Sequence, residues 1–168
     1  MVRNVNPRRF NIAEILQDHE NRITQLEHEL FRRGQWAPYS PTLTNVTVGN
    51  GTLTARWCRV RDFVQVKLIF QFGSTSAFTG TIGFGTPVDG FSTSGFVYPM
   101  GTAIARPSGA TGSNVFKGFT TNDGSGAITE IRIVAANGTN AGGWNASTPF
   151  VWSDGAILGI DATYEAGA

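Results

Sequence analysis

The sequence predicts a mainly β protein with one N-terminal helix, a parallel trimeric coiled coil followed by an antiparallel β-sandwich head of jelly-roll-like type. Three observations predict it. An apolar stripe at heptad spacing runs from Ile12 to Leu30. Charge is dense before Gly34 and sparse after it: residues 1–33 hold six Arg and five Asp or Glu, and the other 135 hold seven basic and seven acidic side chains. The chain beyond Gly34 is a series of strand-length apolar runs punctuated by Gly, Pro, Asn and Ser.

The order of segments follows from local signals. Residues 1–10 form an N-terminal segment, 11–34 the stalk, 35–42 a collar and 43–168 the head. Asn11 suits a helix N-cap, and Glu14 stands three residues later, where a capping box places it. Pro7 bars a helix from running in from upstream. Arg32 and Arg33 followed by Gly34 make a stop signal, since cations suit the last turn and Gly suits the left-handed position after it. A helix over 12–33 would be roughly 33 Å long.

Leu16, Ile23 and Leu30 take heptad position a, and Ile12, His19 and Leu26 take d. Only His19 breaks the seam. A stripe this narrow fits a coiled coil better than a helix lying on the head, because Asp18, Glu20, Arg22, Glu27 and Glu29 crowd the rest of its surface. Arg22-Ile23-Thr24-Gln25-Leu26-Glu27 resembles the Arg-h-x-x-h-Glu trimerisation motif of short parallel coiled coils, where h is apolar. In this register Arg22 falls at g and Glu27 at e, the phase the motif requires. His19 would put three imidazoles on the three-fold axis, either as a hydrated polar layer that fixes register or as an ion-binding or pH-sensitive layer. Three heptads are marginal alone, so contacts between heads are expected to assist.

In the head, residues 43–48 and 52–60 are expected to flank a hairpin turn at Gly49-Asn50-Gly51. Residues 63–72 alternate Val64, Val66, Leu68, Phe70 and Phe72 against a mixed face, the pattern of a half-buried strand. Further strands are expected at 80–84, 95–98, 101–106, 114–120, 127–135, 149–153 and 156–164. The collar, with Pro38 and Pro41, reads as extended, with Trp36 and Tyr39 packed under the head. The Gly- and Ser-rich stretches 73–95 and 137–148 carry Phe78, Phe84, Phe91 and Trp144. These rings either form ligand platforms on exposed loops, with Phe78, Phe91 and Trp144 the candidates, or fill the ends of the sandwich or the trimer axis.

The remaining chemistry is sparse. Both His lie in the stalk, so the head has no imidazole base for a Ser or Cys nucleophile. No phosphate-binding Gly-rich motif occurs. Asn122-Asp123-Gly124-Ser125-Gly126 starts like a calcium loop but lacks the closing Glu, and reads as a tight turn. Nothing in the sequence brings two of the seven head carboxylates together as a glycosidase pair. Arg56, Arg59 and Arg61 read as solvated or inter-subunit cations rather than a phosphate site. No catalytic residue, metal ligand or cofactor is expected. The near-zero charge balance gives no reason to expect nucleic acid, and no run reaches the roughly 20 apolar residues that span a bilayer. Met1 to Phe10 lacks the apolar core of a secretory signal. One cysteine, Cys58, excludes an intrachain disulfide. Four Asn-x-Ser/Thr triplets, at Asn45, Asn50, Asn137 and Asn145, read as turn chemistry rather than glycan sites.

Trp36-Ala37-Pro38-Tyr39 leading to Val46-Thr47-Val48-Gly49-Asn50-Gly51-Thr52 resembles the opening of small bacteriophage minor tail and virion-surface domains. Pro149-Phe150-Val151-Trp152 followed by Leu158-Gly159-Ile160 and Tyr164-Glu165 resembles their end. The resemblance spans the head and implies a non-enzymatic homotrimer on the virion surface, made in the host cytoplasm. A minor tail or fibre protein adhering to a host-surface glycan is the first expectation. A head fibre or capsid decoration trimer is the second, and a carbohydrate-binding module or hydrolase the third. Within it Arg3, Arg8, Arg9 and Phe10 would dock to another virion protein.

Overall fold

The computed structural model describes residues 12–32, 34–92, 95–110, 114–124, 126–136 and 143–167, with the backbone alone at 27–32. The attachment residues Arg3, Arg8, Arg9 and Phe10 lie outside the described residues, as do the side chains of Glu27 and Leu30. Two compact units divide the chain, Met1–Gln35 and Trp36–Ala168.

The first unit carries helix α1, Ile12–Arg32. Glu14 in its first turn complements the positive end of the helix dipole. Gly34 has φ +97°, the left-handed conformation that the Arg-Arg-Gly stop signal called for. Thr24 is accommodated mid-helix because its Oγ1 donates to the Glu20 carbonyl at 2.9 Å.

The second unit is one nine-stranded antiparallel sheet in the order β1-β3-β4-β9-β6-β7-β8-β5-β2. Its strands are β1 (Ala37–Pro38), β2 (Leu43–Thr47), β3 (Thr52–Val60), β4 (Phe63–Gln71), β5 (Ala77–Gly85), β6 (Pro99–Arg106), β7 (Phe116–Thr121), β8 (Glu130–Ala135) and β9 (Ile157–Glu165). The two-sheet sandwich expected from the sequence is therefore replaced by a single sheet that curls. The connection from β2 to β3 forces the curl. These strands sit near opposite ends of the sheet order, yet only Val48–Gly51 joins them. Four residues reach at most roughly 14 Å, so the sheet must bring its two ends close together.

The core lies inside the curl. On β4 the side chains of Val64, Val66, Leu68 and Phe70 are buried and those of Phe63, Gln65, Lys67, Ile69 and Gln71 are exposed, which is the alternation read from the sequence. Antiparallel pairing sets Val64 opposite Tyr164, Leu68 opposite Ile160 and Phe70 opposite Leu158, so β4 and β9 present one continuous apolar inner face. β3 and β4 form a hairpin closed by Arg61-Asp62, with Val60 opposite Phe63. Arg61 takes φ +57° to make that tight turn.

Three further expectations change. Gly49-Asn50-Gly51 does not join paired strands, because β2 pairs with β5 and β3 pairs with β1 and β4. Residues 96–98 and 149–153 are not strands, and the strand placed at 80–84 runs from Ala77 to Gly85. The collar is part of the head: Ala37 pairs with Trp57, and Tyr39 packs against the core.

The Asn50 turn is instead a lock between two loops. Asn50 Oδ1 accepts from the Thr75 amide and from Thr75 Oγ1, each at 2.9 Å, while the Asn50 amide donates to Thr75 Oγ1 at 2.8 Å. Its Nδ2 donates to Ser74 Oγ at 3.1 Å. Ser76 Oγ donates to the Val48 carbonyl and accepts from the Gly73 amide. This network fastens the β2–β3 connection to the β4–β5 connection, and it occupies the Asn50 side chain as turn chemistry. Asn50→Ala removes the side-chain bonds to Thr75 and Ser74 while leaving those of Ser76, and the expected cost is about 1–3 kcal/mol, read as a lower urea midpoint with an unchanged slope.

Candidate functional site

On α1 the described side chains of the apolar stripe are exposed. Ile12, Leu16, Ile23 and Leu26 are between 53% and 70% exposed. His19 and Arg22 are exposed as well. Ile15, which the heptad reading passed over, falls at position g beside Leu16 and is also exposed. It widens the stripe toward the neighbour that a coiled coil would bring. A reading that followed every apolar residue, rather than the a/d seam alone, would have found it.

In the head, two of the three ring candidates are structural. Trp144 is fully buried and Phe78 is 6% exposed, so neither presents a platform, and the alternative of rings filling an end of the head is what is found. The reason for Trp144 is backbone pairing. Its amide donates to the Ile133 carbonyl at 2.8 Å, and the Ile82 amide donates to its carbonyl at 3.0 Å. Residue 144 is thus stitched between β8 and β5, and its side chain must enter the core. Phe78 meets Phe72 edge-on at 4.7 Å, and Phe72 stacks on Trp152 at 5.0 Å. Trp152 fixes this cap by donating from Nε1 to the Asn145 carbonyl at 3.0 Å.

Phe91 is half-buried and leads to a ring cluster that is open to solvent. Its ring lies 5.6 Å from that of Tyr98, and Tyr98 lies 4.8 Å from Phe96. Phe96 is 61% exposed and Tyr98 39%. The backbone under these rings is held by Asn122, a buried amide: its Oδ1 accepts from the Tyr98 amide at 2.6 Å and its Nδ2 donates to the Phe96 carbonyl at 3.0 Å. The sequence concealed this ledge. Phe96-Val97-Tyr98 reads as a short strand, but among the described residues no strand pairs with it, and its rings stay outside.

Beside the ledge in the chain is a polar cleft of about 420 Å³. Thr42, Thr44, Thr86 and Thr129 line it together with Asp89, Asp123 and Glu130. Three of the seven head carboxylates therefore converge, which the sequence did not indicate. Glu130 is neutralised by Arg132, whose Nε lies 2.7 Å from Oε2. Among the described residues no group of three or more His, Cys, Asp or Glu is arranged to hold a metal ion.

Tyr164 is buried and holds Val88, next in the chain to the lining residue Asp89. Its Oη donates to the Val88 carbonyl at 2.7 Å. Burial pushes the phenol up to about 12, the nearby Asp89 adds to the rise, and hydrogen bonding with Thr86 and Val88 opposes it. Burial also raises Tyr39, and more strongly. Because the neutral phenol is favoured in the fold, the stabilisation is complete below pH of about 10, the unfolded value, and is lost as pH rises toward about 12. Denaturation midpoints measured from pH 9 to pH 12 are expected to fall, and to fall less in Tyr164→Phe.

No protein-family model, curated protein or solved structure matches this chain. The arginine positions singled out in the sequence are surface features. Arg56, Arg59 and Arg61 are exposed, and Arg59 Nε donates to the Arg61 carbonyl at 2.9 Å rather than to a shared site. Cys58 is buried, and burial raises its thiol against the opposing effect of Lys67. Lys67 Nζ lies 5.5 Å from the Trp36 ring centroid. Among the described residues no helix is long and apolar enough to cross a membrane.

Proposed function

We propose that this chain is a non-enzymatic trimeric protein of a bacteriophage virion surface, of the minor tail or fibre kind, whose β head adheres to a host-surface glycan. The observation that carries the reading is the exposed apolar stripe of α1. A helix of 21 residues is marginal in water by itself, and association with other copies would bury the stripe. In the heptad register the Arg22-to-Glu27 motif favours three parallel copies. Trimerisation multiplies a weak head site into useful avidity, which suits adhesion to a repetitive glycan surface. The virion assignment rests on the resemblance of the head's opening and closing segments to phage surface domains. On this reading residues 1–10 dock to another virion protein.

Two measurements test it. Labelled antibody against the purified chain, imaged on intact particles, is expected to mark the tail. Marking over the capsid shell would replace adhesion by decoration. The trimer is also expected to bind host cells without releasing sugars from them, and turnover of any polysaccharide would overturn the non-enzymatic reading.

A further inference from the structure

We infer that the outer face of the head's central strands, centred on Gly159, is the surface through which the heads of the trimer pack on one another. This rests on the trimeric reading and supplies the head contact that a marginal stalk requires.

Strand register assembles the face. Ile69 on β4 stands opposite Gly159 on β9, and Gly159 stands opposite Ile104 on β6. In the next row Lys67 is opposite Asp161, Asp161 opposite Thr102, and Thr102 opposite Phe119 on β7. The residues that flank Ile69, Gly159, Ile104 and Phe119 along their strands are buried, so these four point away from the core. Ile69, Ile104 and Phe119 are between 46% and 57% exposed. β4, β9, β6 and β7 are adjacent in the sheet, so the exposed apolar groups lie together, as they do on surfaces that meet a protein partner.

Gly159 points to close approach from outside. Glycine inside a strand weakens it and marks a bulge, a bend or a place where another backbone or a ligand comes near. The pairing of β9 runs through Gly159 without a register shift on either side. A Cβ placed there would meet only the Ile104 carbonyl, at 3.9 Å. Packing within the chain therefore does not require glycine at this position. The bare backbone between two isoleucines is a trough for a neighbour's side chains.

The occupant is a neighbouring head. Four residues separate Arg32, the end of α1, from Ala37, the start of β1. Such a link reaches at most roughly 18 Å. Three copies joined at α1 thus hold their heads at high mutual concentration, where a face too weak to associate alone still closes. The charges suit an identical copy: Lys67 Nζ lies 3.5 Å from Asp161 Oδ2, so this pair neutralises itself and repels no copy of itself. The hollow beside Ile104 and Phe119 holds about 270 Å³, below the roughly 300 Å³ at which small-ligand pockets begin. That size fits an inserted side chain better than a ligand.

The test follows the trimer–monomer equilibrium of the full chain by sedimentation. Gly159→Arg and Ile104→Glu are each expected to raise the concentration at which half the trimer dissociates at least tenfold. Ile104→Cys is expected to be cross-linked between chains by a short bis-maleimide, and Thr79→Cys, exposed on β5, is not. In a chain made monomeric by Ile23→Asp and Leu26→Asp, Gly159→Arg is expected to leave the urea midpoint unchanged, because its side chain enters open space. A lower midpoint there would make the effect internal to one chain and overturn the interface. Unchanged dissociation in both variants, or equal cross-linking at the two cysteines, would overturn it while leaving the trimer standing. Loss of host-cell binding with dissociation unchanged would assign the face to a receptor and overturn it as well. A wild-type chain that is monomeric at every concentration would overturn trimer and interface together.

Discussion

Replacing Ile23 and Leu26 by Asp in the same chain is expected to turn a trimer into a monomer. Light scattering should show wild-type particles of three times the 18.0 kDa chain mass, and variant particles of one chain mass. Both positions lie on the exposed stripe, at a and d of adjacent layers, and both side chains are more than half exposed in the single chain. Their substitution therefore falls on a face that the single chain leaves more than half open. In a trimer each would bury an aliphatic side chain on every copy, a gain of about 1.5–3 kcal/mol apiece. Asp would instead bring three carboxylates together at each layer, where desolvation and like charge both oppose association. Helical signal in circular dichroism is expected to fall, because the freed helix is too short to persist alone. The signal from the β head is expected to remain. A variant that stays trimeric would move the clamp from the stalk to the head and refute the coiled-coil reading. A wild-type chain that is already monomeric would refute it more directly.

Trp144→Ala is expected to be the most destabilising single substitution in the head, at about 3–5 kcal/mol. Trp144 heads the fully buried side chains ranked by volume. It seats against Gly118 on β7, where an added Cβ would come within 2.9 Å of the indole Cζ2. The ring thus fills space that the absence of a Gly118 side chain creates, and neither neighbour can expand to replace it. Trp144→Phe should cost less: it keeps most of the apolar volume and removes an indole N–H that is buried without a partner among the described residues. Urea titration followed by tryptophan fluorescence, with Trp57 and Trp152 as the remaining reporters packed against the core, measures both. A loss below about 1 kcal/mol in Trp144→Ala would mean that the ring is not the keystone its burial indicates.

These two places in the chain divide what was legible from what was not. The stripe of α1 is a local pattern: its period, cap and Gly34 stop lie within two dozen residues and need no distant partner to be read. β4 was legible for the same reason, since strict alternation over nine residues fixes a strand and its buried face. Trp144 was not. It sits among Gly, Asn and Ser, which locally describe a loop, and only its pairing between Ile133 and Ile82 sends it inward. Phe96-Val97-Tyr98 failed in the opposite sense, because an apolar run reads as a strand until no partner strand is found beside it.

The amino-acid sequence by itself determined the helix and its stripe, the boundary near Gly34, most strand positions and the lack of any His after Gly34. Tertiary structure alone decided that β2 closes on β5 rather than on β3, that one curled sheet replaces two stacked ones, which rings are core and which form the ledge, and that Asp89, Asp123 and Glu130 share a cleft. The physical reason is the range of the interactions. Periodicity, capping and turn chemistry act over a few residues and leave their mark in sequence order. Strand pairing joins positions far apart in the chain, and burial belongs to the surface that such pairing creates.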